Sequence, residues 1–309
     1  MPLLQKTIRS KVLFSGKGLH SGTEVRMEVR PANAGTGILF KRTDTLSTAV
    51  EAHVLNVSST QLSTTIGSGV SSVSTVEHLL AAFYGLGVDN AIVLLNGPEV
   101  PIMDGSALPF VEKLMRVGFK TLNEPRAVLK LKRPVELVVG EKRIVAEPAT
   151  QFSLNCAIDF EDEVIGQQKV SFFGDLEGFL RLSRARTFCR LEDVALMKKS
   201  GLALGGSLDN AVVVSTDGVL NEGGLRDPME FVYHKALDVF GDLTLLGSPL
   251  VAKVSVLRPG HDLHWRFMCE LIKKKELYLE TVHDERRYRH PNFLQNIRDV
   301  ASGDLVGAV

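Results

Sequence analysis

One order of segments occurs twice along this chain, and it restricts the fold more than any single motif. In each half, short strand-like runs lead to a helix carrying a histidine with a glycine seven positions on: His78 with Gly85, and His234 with Gly241. A buried strand ending in Gly/Pro comes next, NAIVLLNGPEVP in the first half and VAKVSVLRPGH in the second. An amphipathic helix then closes each half, ALPFVEKLMRVGF or LHWRFMCELIKKK. Alternation with period 2 marks the strands (Val25, Met27 and Val29 among charged residues), and helical spacing marks STVEHLLAAFYGLG through Val76, Leu79, Leu80 and Phe83. The echo is too weak for a solenoid. It predicts an α+β chain of two similar domains, each a β-sheet with packed helices. The division is expected at TLNEPRAV, giving residues 1–122 and 123–309.

A length of 309 residues suits one large or two ordinary domains. A hydrophobic fraction of 44% and a charged fraction of 23% exclude a largely disordered chain. Thirty-six basic residues balance thirty-six acidic ones, so no net field draws the chain to nucleic acid or to an anionic membrane. No apolar run reaches the ~18–20 residues of a transmembrane segment, and the opening MPLLQKTIRSKVLF lacks the apolar core of a secretory signal. Cys156, Cys189 and Cys269 are odd in number and far apart, which suits reduced thiols in a cytoplasmic protein.

Three segments carry more local expectations. Ser74 and Glu77 match a capping box at the start of the first histidine-bearing helix. The stretch EDEVIGQQKVSFFGDLEGFLRLSRARTF reads as irregular. LEDVALMKKSGLALGGSLDNAVVV reads as a helix, a glycine turn and a strand, the helix packing through Leu191, Val194, Ala195 and Met197.

The densest chemistry lies in EFVYHKALDVFGDL. His234, Asp238 and Asp242 are spaced i, i+4, i+8 and share one helical face. A histidine and a carboxylate one turn apart can grip a divalent ion, while the plainer reading is a solvated ion-paired face. A third ligand must come from elsewhere, and His78 in STVEHLL is the best donor. Its neighbour Glu77 is then either a helix cap or a general base for water. These residues are far apart in sequence, so such a site would lie between the halves. His261, after Gly260, could present a charged imidazole to a developing oxyanion or a leaving amine, with Asp242 orienting it. The Thr187 hydroxyl in RARTF could donate to the same oxyanion. His20, in the glycine-flanked turn GKGLHSG, could reach a ligand, whereas His53, His264, His283 and His290 read as strand or surface residues.

Together the blocks SGKGLHSG, STVEHLLAA, GVDNAIV, GPEVPIMDGSA, RTF, GLALGGSLDNAVV, HKALDVFGDL and the Gly260-His261 pair resemble the zinc-dependent UDP-3-O-acyl-N-acetylglucosamine deacetylases of lipid A biosynthesis. The resemblance runs in the family's order over roughly residues 4–275. It implies two α+β domains with helices sandwiched between two sheets, the site at their junction, and a cytoplasmic, monomeric enzyme. The implied reaction is hydrolysis of the N-acetyl group of an acylated UDP-N-acetylglucosamine, giving acetate and a free amine.

By the same resemblance His78, His234 and Asp238 hold Zn2+, with Fe2+ an option for such a donor set. Glu77 is the base, His261 the cationic acid, Asp242 its orienting carboxylate and Thr187 the group polarising the carbonyl, with Lys235 near the substrate. Phe188, Leu191, Val194, Ala203, Gly206, Ser207, Ala211 and Val213 fall on a βαβ insert near 186–214 that forms an acyl-chain tunnel. Phe160 falls near the uridine, and Arg258 near the diphosphate. The chain departs from some members in having no cysteine in QLSTTIGSG, so capture of an inhibitory metal by a thiol there is not expected. Two alternatives are a zinc amidase for another N-acyl sugar, and a non-catalytic binder of a sugar nucleotide or lipid precursor. An intact base and orienting carboxylate argue against a mere binder.

Overall fold

The computed structural model describes residues 3–283; His290 and most of the 281–309 tail lie outside them. Two sheets are built on one plan. In the first, the strand Ala91–Leu95 is flanked antiparallel by Glu24–Pro31 and parallel by Ile38–Arg42. Val12–Lys17 and Val50–Glu51 extend it on either side. In the second, Leu250–Leu257 is flanked antiparallel by Lys142–Pro148 and parallel by Ser153–Asp159. Val135–Val139 and Gln167–Phe172 extend that sheet, and Val128–Leu131 and Leu279–Val282 add to it. Register follows the apolar alternation. Val29, Val93 and Phe40 lie opposite one another in the first sheet, and Ile144, Val256 and Cys156 in the second, all buried.

Six helices matter here: α1 (Glu77–Leu86), α2 (Leu108–Val117), α3 (Leu176–Ser183), α4 (Leu191–Lys199), α5 (Glu230–Leu243) and α6 (His261–Lys273). α1 precedes and α2 follows the central strand of the first sheet; α5 and α6 stand the same way to the second. The helices lie between the sheets. α1 packs along α5, α5 packs against Ser153–Asp159, α6 against Lys142–Pro148, and α2 against Val12–Lys17. One continuous apolar core therefore spans both halves. At its centre Phe240 meets the rings of Tyr84, Phe152 and Phe172 edge-on at 5.4, 5.3 and 4.8 Å, each pair adding ~0.5–1.5 kcal/mol beyond area burial. No helix among the described residues is long and apolar enough to cross a membrane.

The structure corrects several local expectations. The chain does not break at Glu124-Pro125: Phe119–Pro125 is a strand antiparallel to Leu4–Ile8, so residues on both sides of position 122 share one ladder. Ser74 does not cap α1, whose first residue is Glu77 and whose preceding Val76 offers no side-chain acceptor. The Ser74 hydroxyl accepts from Thr65 instead. The stretch read as irregular contains the strand Gln167–Phe172 and α3, capped by Asp175. His261 opens α6, and His264, read as a surface residue, is completely buried. Finally, α4 buries none of its residues, and Leu191 and Leu196 face solvent.

Candidate active site

The site forms where the first turn of α1 meets the middle of α5. Gly241 permits it: a Cβ there would stand 2.1 Å from the Glu77 carbonyl oxygen, so only glycine lets the two backbones approach this closely. The crossing brings Glu77 and His78 beside His234, Asp238 and Asp242, and all five side chains are buried. Nε2 of His78 lies 3.7 Å and Nε2 of His234 3.5 Å from Oδ1 of Asp238. Ligands bound tetrahedrally at ~2.0–2.1 Å stand ~3.3 Å apart, so these separations suit a shared ion.

The surrounding bonds prepare the donors. Nδ1 of His234 faces the carbonyl of Ala185 at 3.1 Å, and its N–H donates there, leaving Nε2 bare. Lys235 Nζ donates to Oδ2 of Asp238 at 2.9 Å, while Oδ1, buried, has no hydrogen-bond partner among the described residues. An orphaned buried carboxylate oxygen aimed at two imidazoles needs a cation. Burial holds His78 down at about 4 and His234 down at about 3, the neutral form a metal requires. Burial opposes ionisation of Asp238, but neighbouring His234 and Lys235 hold its carboxyl well below the usual range. The three donors thus fit a divalent ion.

Beside them lies a second cluster. Glu77 Oε2 accepts from the Thr64 amide at 3.0 Å, and Oε1 stands 4.0 Å from Nε2 of His261. Burial, reinforced by Asp242 and Asp238, pushes Glu77 up to about 8. Nδ1 of His261 donates to Oδ2 of Asp242 at 2.8 Å; against the cost of burial, this carboxylate raises His261 to about 9. Burial disfavours the Asp242 anion too, but His261 and His264 hold it at about 2. The Thr64 hydroxyl donates to Oδ1 of Asp242 at 2.6 Å.

The other expected residues divide. Phe188 packs against His234, ring centroids 6.2 Å apart; Lys235 Nζ sits 5.4 Å above it, and Phe160 lies 5.7 Å beyond. Thr187 is held beside them, its amide on Gly105 and its carbonyl on Val212. His20 meets the insert: the Ala203 amide donates to its Nδ1 at 3.3 Å, and the Leu204 and Gly205 amides donate to the carbonyls of His20 and Leu19. Glu99 fixes that turn by accepting from the His20 and Ser21 amides and from Thr75.

Phe188–Arg190 and Val212–Ser215 pair in parallel with α4 between them, a βαβ unit. Ala211 and Val213 are buried in it, Val194 and Gly206 half-buried, and Leu191 and Ser207 exposed. Arg258 is engaged with Glu141 and, at 2.8 Å, with Asp159 rather than presented as a free cation. Sequence reading missed Thr64 and His264, since a threonine in a polar loop and a histidine on an amphipathic helix carry no local signal. It also missed the buried pair Arg186–Glu230 (Nε–Oε1 2.8 Å), which anchors the segment carrying Ala185 and Thr187.

A two-sheet α+β fold whose halves jointly supply two imidazoles, a carboxylate, a buried acid and a further imidazole has the donor set that suits the class of hydrolases working with a divalent ion. The profile of the UDP-3-O-acyl N-acetylglycosamine deacetylase family matches residues 5–273. The chain is similar to UDP-3-O-acyl-N-acetylglucosamine deacetylases from Citrifermentans bemidjiense (46% identical, 89% of this chain and 91% of that one) and Geobacter sp. strain M21 (47%, the same shares). One from Syntrophus aciditrophicus is 38% identical over 99% of this chain and 98% of its own. The chain belongs to the UDP-3-O-acyl-N-acetylglucosamine deacetylase family.

Proposed function

We propose that the protein hydrolyses the N-acetyl group of a UDP-3-O-(3-hydroxyacyl)-N-acetylglucosamine, the committed step of lipid A biosynthesis, with Zn2+ held by His78, His234 and Asp238. The observation that carries this reading is the partnerless Oδ1 of Asp238 facing two neutral imidazoles, with Glu77 and His261 opposed at 4.0 Å beside it. When bound, a divalent ion supplies Lewis acidity, makes a water more acidic and favours the carboxylate form of Glu77. Glu77, steadied by the Thr64 amide, takes the proton of the water that attacks the acetamide carbon. The charged His261 imidazole and the Thr187 hydroxyl donate to the oxygen as it gains charge. The C–N bond then breaks, acetate departs, and the amine takes up a proton from Glu77 or His261, whose polar atoms face each other.

Lys235 neutralises one oxygen of Asp238 and directs the other toward the imidazoles. The apolar residues of the insert, exposed Leu191 and half-buried Val194 and Ala203 with buried Ala211 and Val213 beneath them, are the acyl-chain surface in this reading. Phe188, Gly206 and Ser207 belong to the same surface, His20 stands beside it, and Phe160 and Arg258 are on the nucleotide side. The test is metal analysis combined with acetate release. Turnover of the acylated UDP-sugar far above that of plain UDP-N-acetylglucosamine, lost to a chelator and restored by Zn2+, is the expected result. Equal turnover of both sugars would instead indicate a general N-acyl sugar amidase.

A further inference from the structure

We propose that His264 is a positioning residue of this site: locked as the neutral Nδ1–H tautomer, it pins the Asp242 carboxylate and the start of α6, so that His261 keeps its charged orientation. The proposal rests on the role of His261 in the deacetylation reading. Two imidazoles converge on one oxygen, since Oδ2 of Asp242 lies 2.8 Å from Nδ1 of His261 and 2.7 Å from Nδ1 of His264. Both contacts are shorter than the ~3.3 Å between ligands of a common tetrahedral ion, so they are direct hydrogen bonds and not a second metal centre.

The far nitrogens of the two rings differ in what they meet. Nε2 of His264 is 3.2 Å from the backbone nitrogen of Gly260. An amide N–H can only donate, so Nε2 must be bare and the single ring proton must sit on Nδ1, aimed at Asp242. A second proton would set two buried donors against each other. Among the described residues Nε2 of His261 meets no amide donor; it faces Oε1 of Glu77. The groups around His261 are Asp242 and, further off, Asp238 from α5, Glu77 and His78 from α1, His20 from the glycine-flanked turn, the Thr64 hydroxyl and His264 from its own helix. Of the two rings on Asp242, one can carry charge and the other is held neutral.

His264 also completes a helix end. Gly260 precedes α6 and has no side chain with which to cap it. The His264 ring, completely buried, accepts the Gly260 N–H instead and ties the turn that launches His261 to the carboxylate His261 uses. Thr64 fixes the other oxygen of Asp242 at 2.6 Å, so the carboxylate cannot rotate away.

Two variants separate positioning from packing. H264F fills the ring's volume but donates nothing; H264N is smaller but keeps an N–H donor near the Nδ1 position. Positioning predicts that H264F lowers kcat about 10- to 100-fold with KM and metal content nearly unchanged, while H264N retains most of the turnover. Simple packing predicts the reverse order, because asparagine leaves a cavity and phenylalanine does not. Independently of any turnover, 15N NMR of the wild-type protein should show His264 as the Nδ1–H tautomer, with Nε2 accepting the Gly260 amide. An Nε2–H tautomer, or an H264F variant with wild-type kcat, would overturn the proposal. If the deacetylation reading itself fails, no variant turns over the acylated sugar, and the NMR result still decides how His264 is held.

Discussion

Replacing Gly241 by alanine adds one methyl group at the point where α5 meets the backbone of Glu77. That Cβ would lie 2.1 Å from the Glu77 carbonyl oxygen, 2.7 Å from its carbon and 3.0 Å from its Cα, where an ordinary contact is 3.4–4 Å. None of these atoms is the free end of a side chain, so the helices must part by about 1 Å in an interior packed like a crystal. Overpacking of this kind costs about 3 kcal/mol, and the better helix propensity of alanine returns about 1, leaving a loss of about 2 kcal/mol. For a chain of this size that lowers the melting midpoint by roughly 3 °C. The larger effect falls on chemistry. Separating the helices moves Glu77 and His78 away from Asp238 and His234, and a 1 Å misplacement costs on the order of 100-fold in rate. Thermal melts, metal titration and acetate release on G241A measure the three effects. Wild-type stability together with wild-type turnover would show that the helix crossing does not set the site.

Glu77→Gln should keep its metal and lose about 10²- to 10⁴-fold in kcat, the usual contribution of a general base; near-normal acetate release would remove Glu77 from that role. His78→Ala should lose both metal and turnover, and an unchanged metal content by elemental analysis would take it out of the donor set. Asp242→Asn removes the carboxylate that holds His261 at about 9, so the alkaline limb of the pH–rate profile should move to lower pH. The stability that wild type gains through this pair should be greatest between pH ~4 and ~6.5, fading as pH rises through the folded value of His261 and as it falls toward that of Asp242; urea melts across pH that show a flat difference from the variant would contradict the coupling. Arg186→Leu strands the fully buried Glu230, which accepts from Arg186 Nε at 2.8 Å and from the Arg226 amide at 2.7 Å. A loss of about 3–5 kcal/mol in chemical denaturation is expected, and a loss below 1 kcal/mol would mean that Glu230 has other support.

Much of the fold was legible because its signals are local. The period-2 runs around Val25, Met27 and Val29 and the helical stripe of Val76, Leu79, Leu80 and Phe83 formed the elements they predict. The order of segments in the two halves reappears as two sheets with one strand plan. Expectations failed where a tertiary contact supplied what the sequence seemed to need. Ser74 looked like a helix cap, yet the Glu77 carboxylate is fixed by the Thr64 amide from another loop. Helix α4 has an apolar series, yet among the described residues it rests on the strands of its own βαβ unit and buries none of its side chains fully.

Spacing along the chain is enough to nominate candidate donors, because His234, Asp238 and Asp242 share a helical face by the geometry of one turn, and His78 and Glu77 are adjacent. It does not settle which carboxylate serves which imidazole. Asp238 and Asp242 differ by a single turn, but α1 crosses α5 at Gly241 so that one faces His78 and the other faces α6. Only that crossing makes the first a candidate metal donor and the second the anchor for His261 and His264. Hydrogen bonds and Coulomb forces between buried groups depend on separations of a few ångströms, and the packing of distant segments sets those separations.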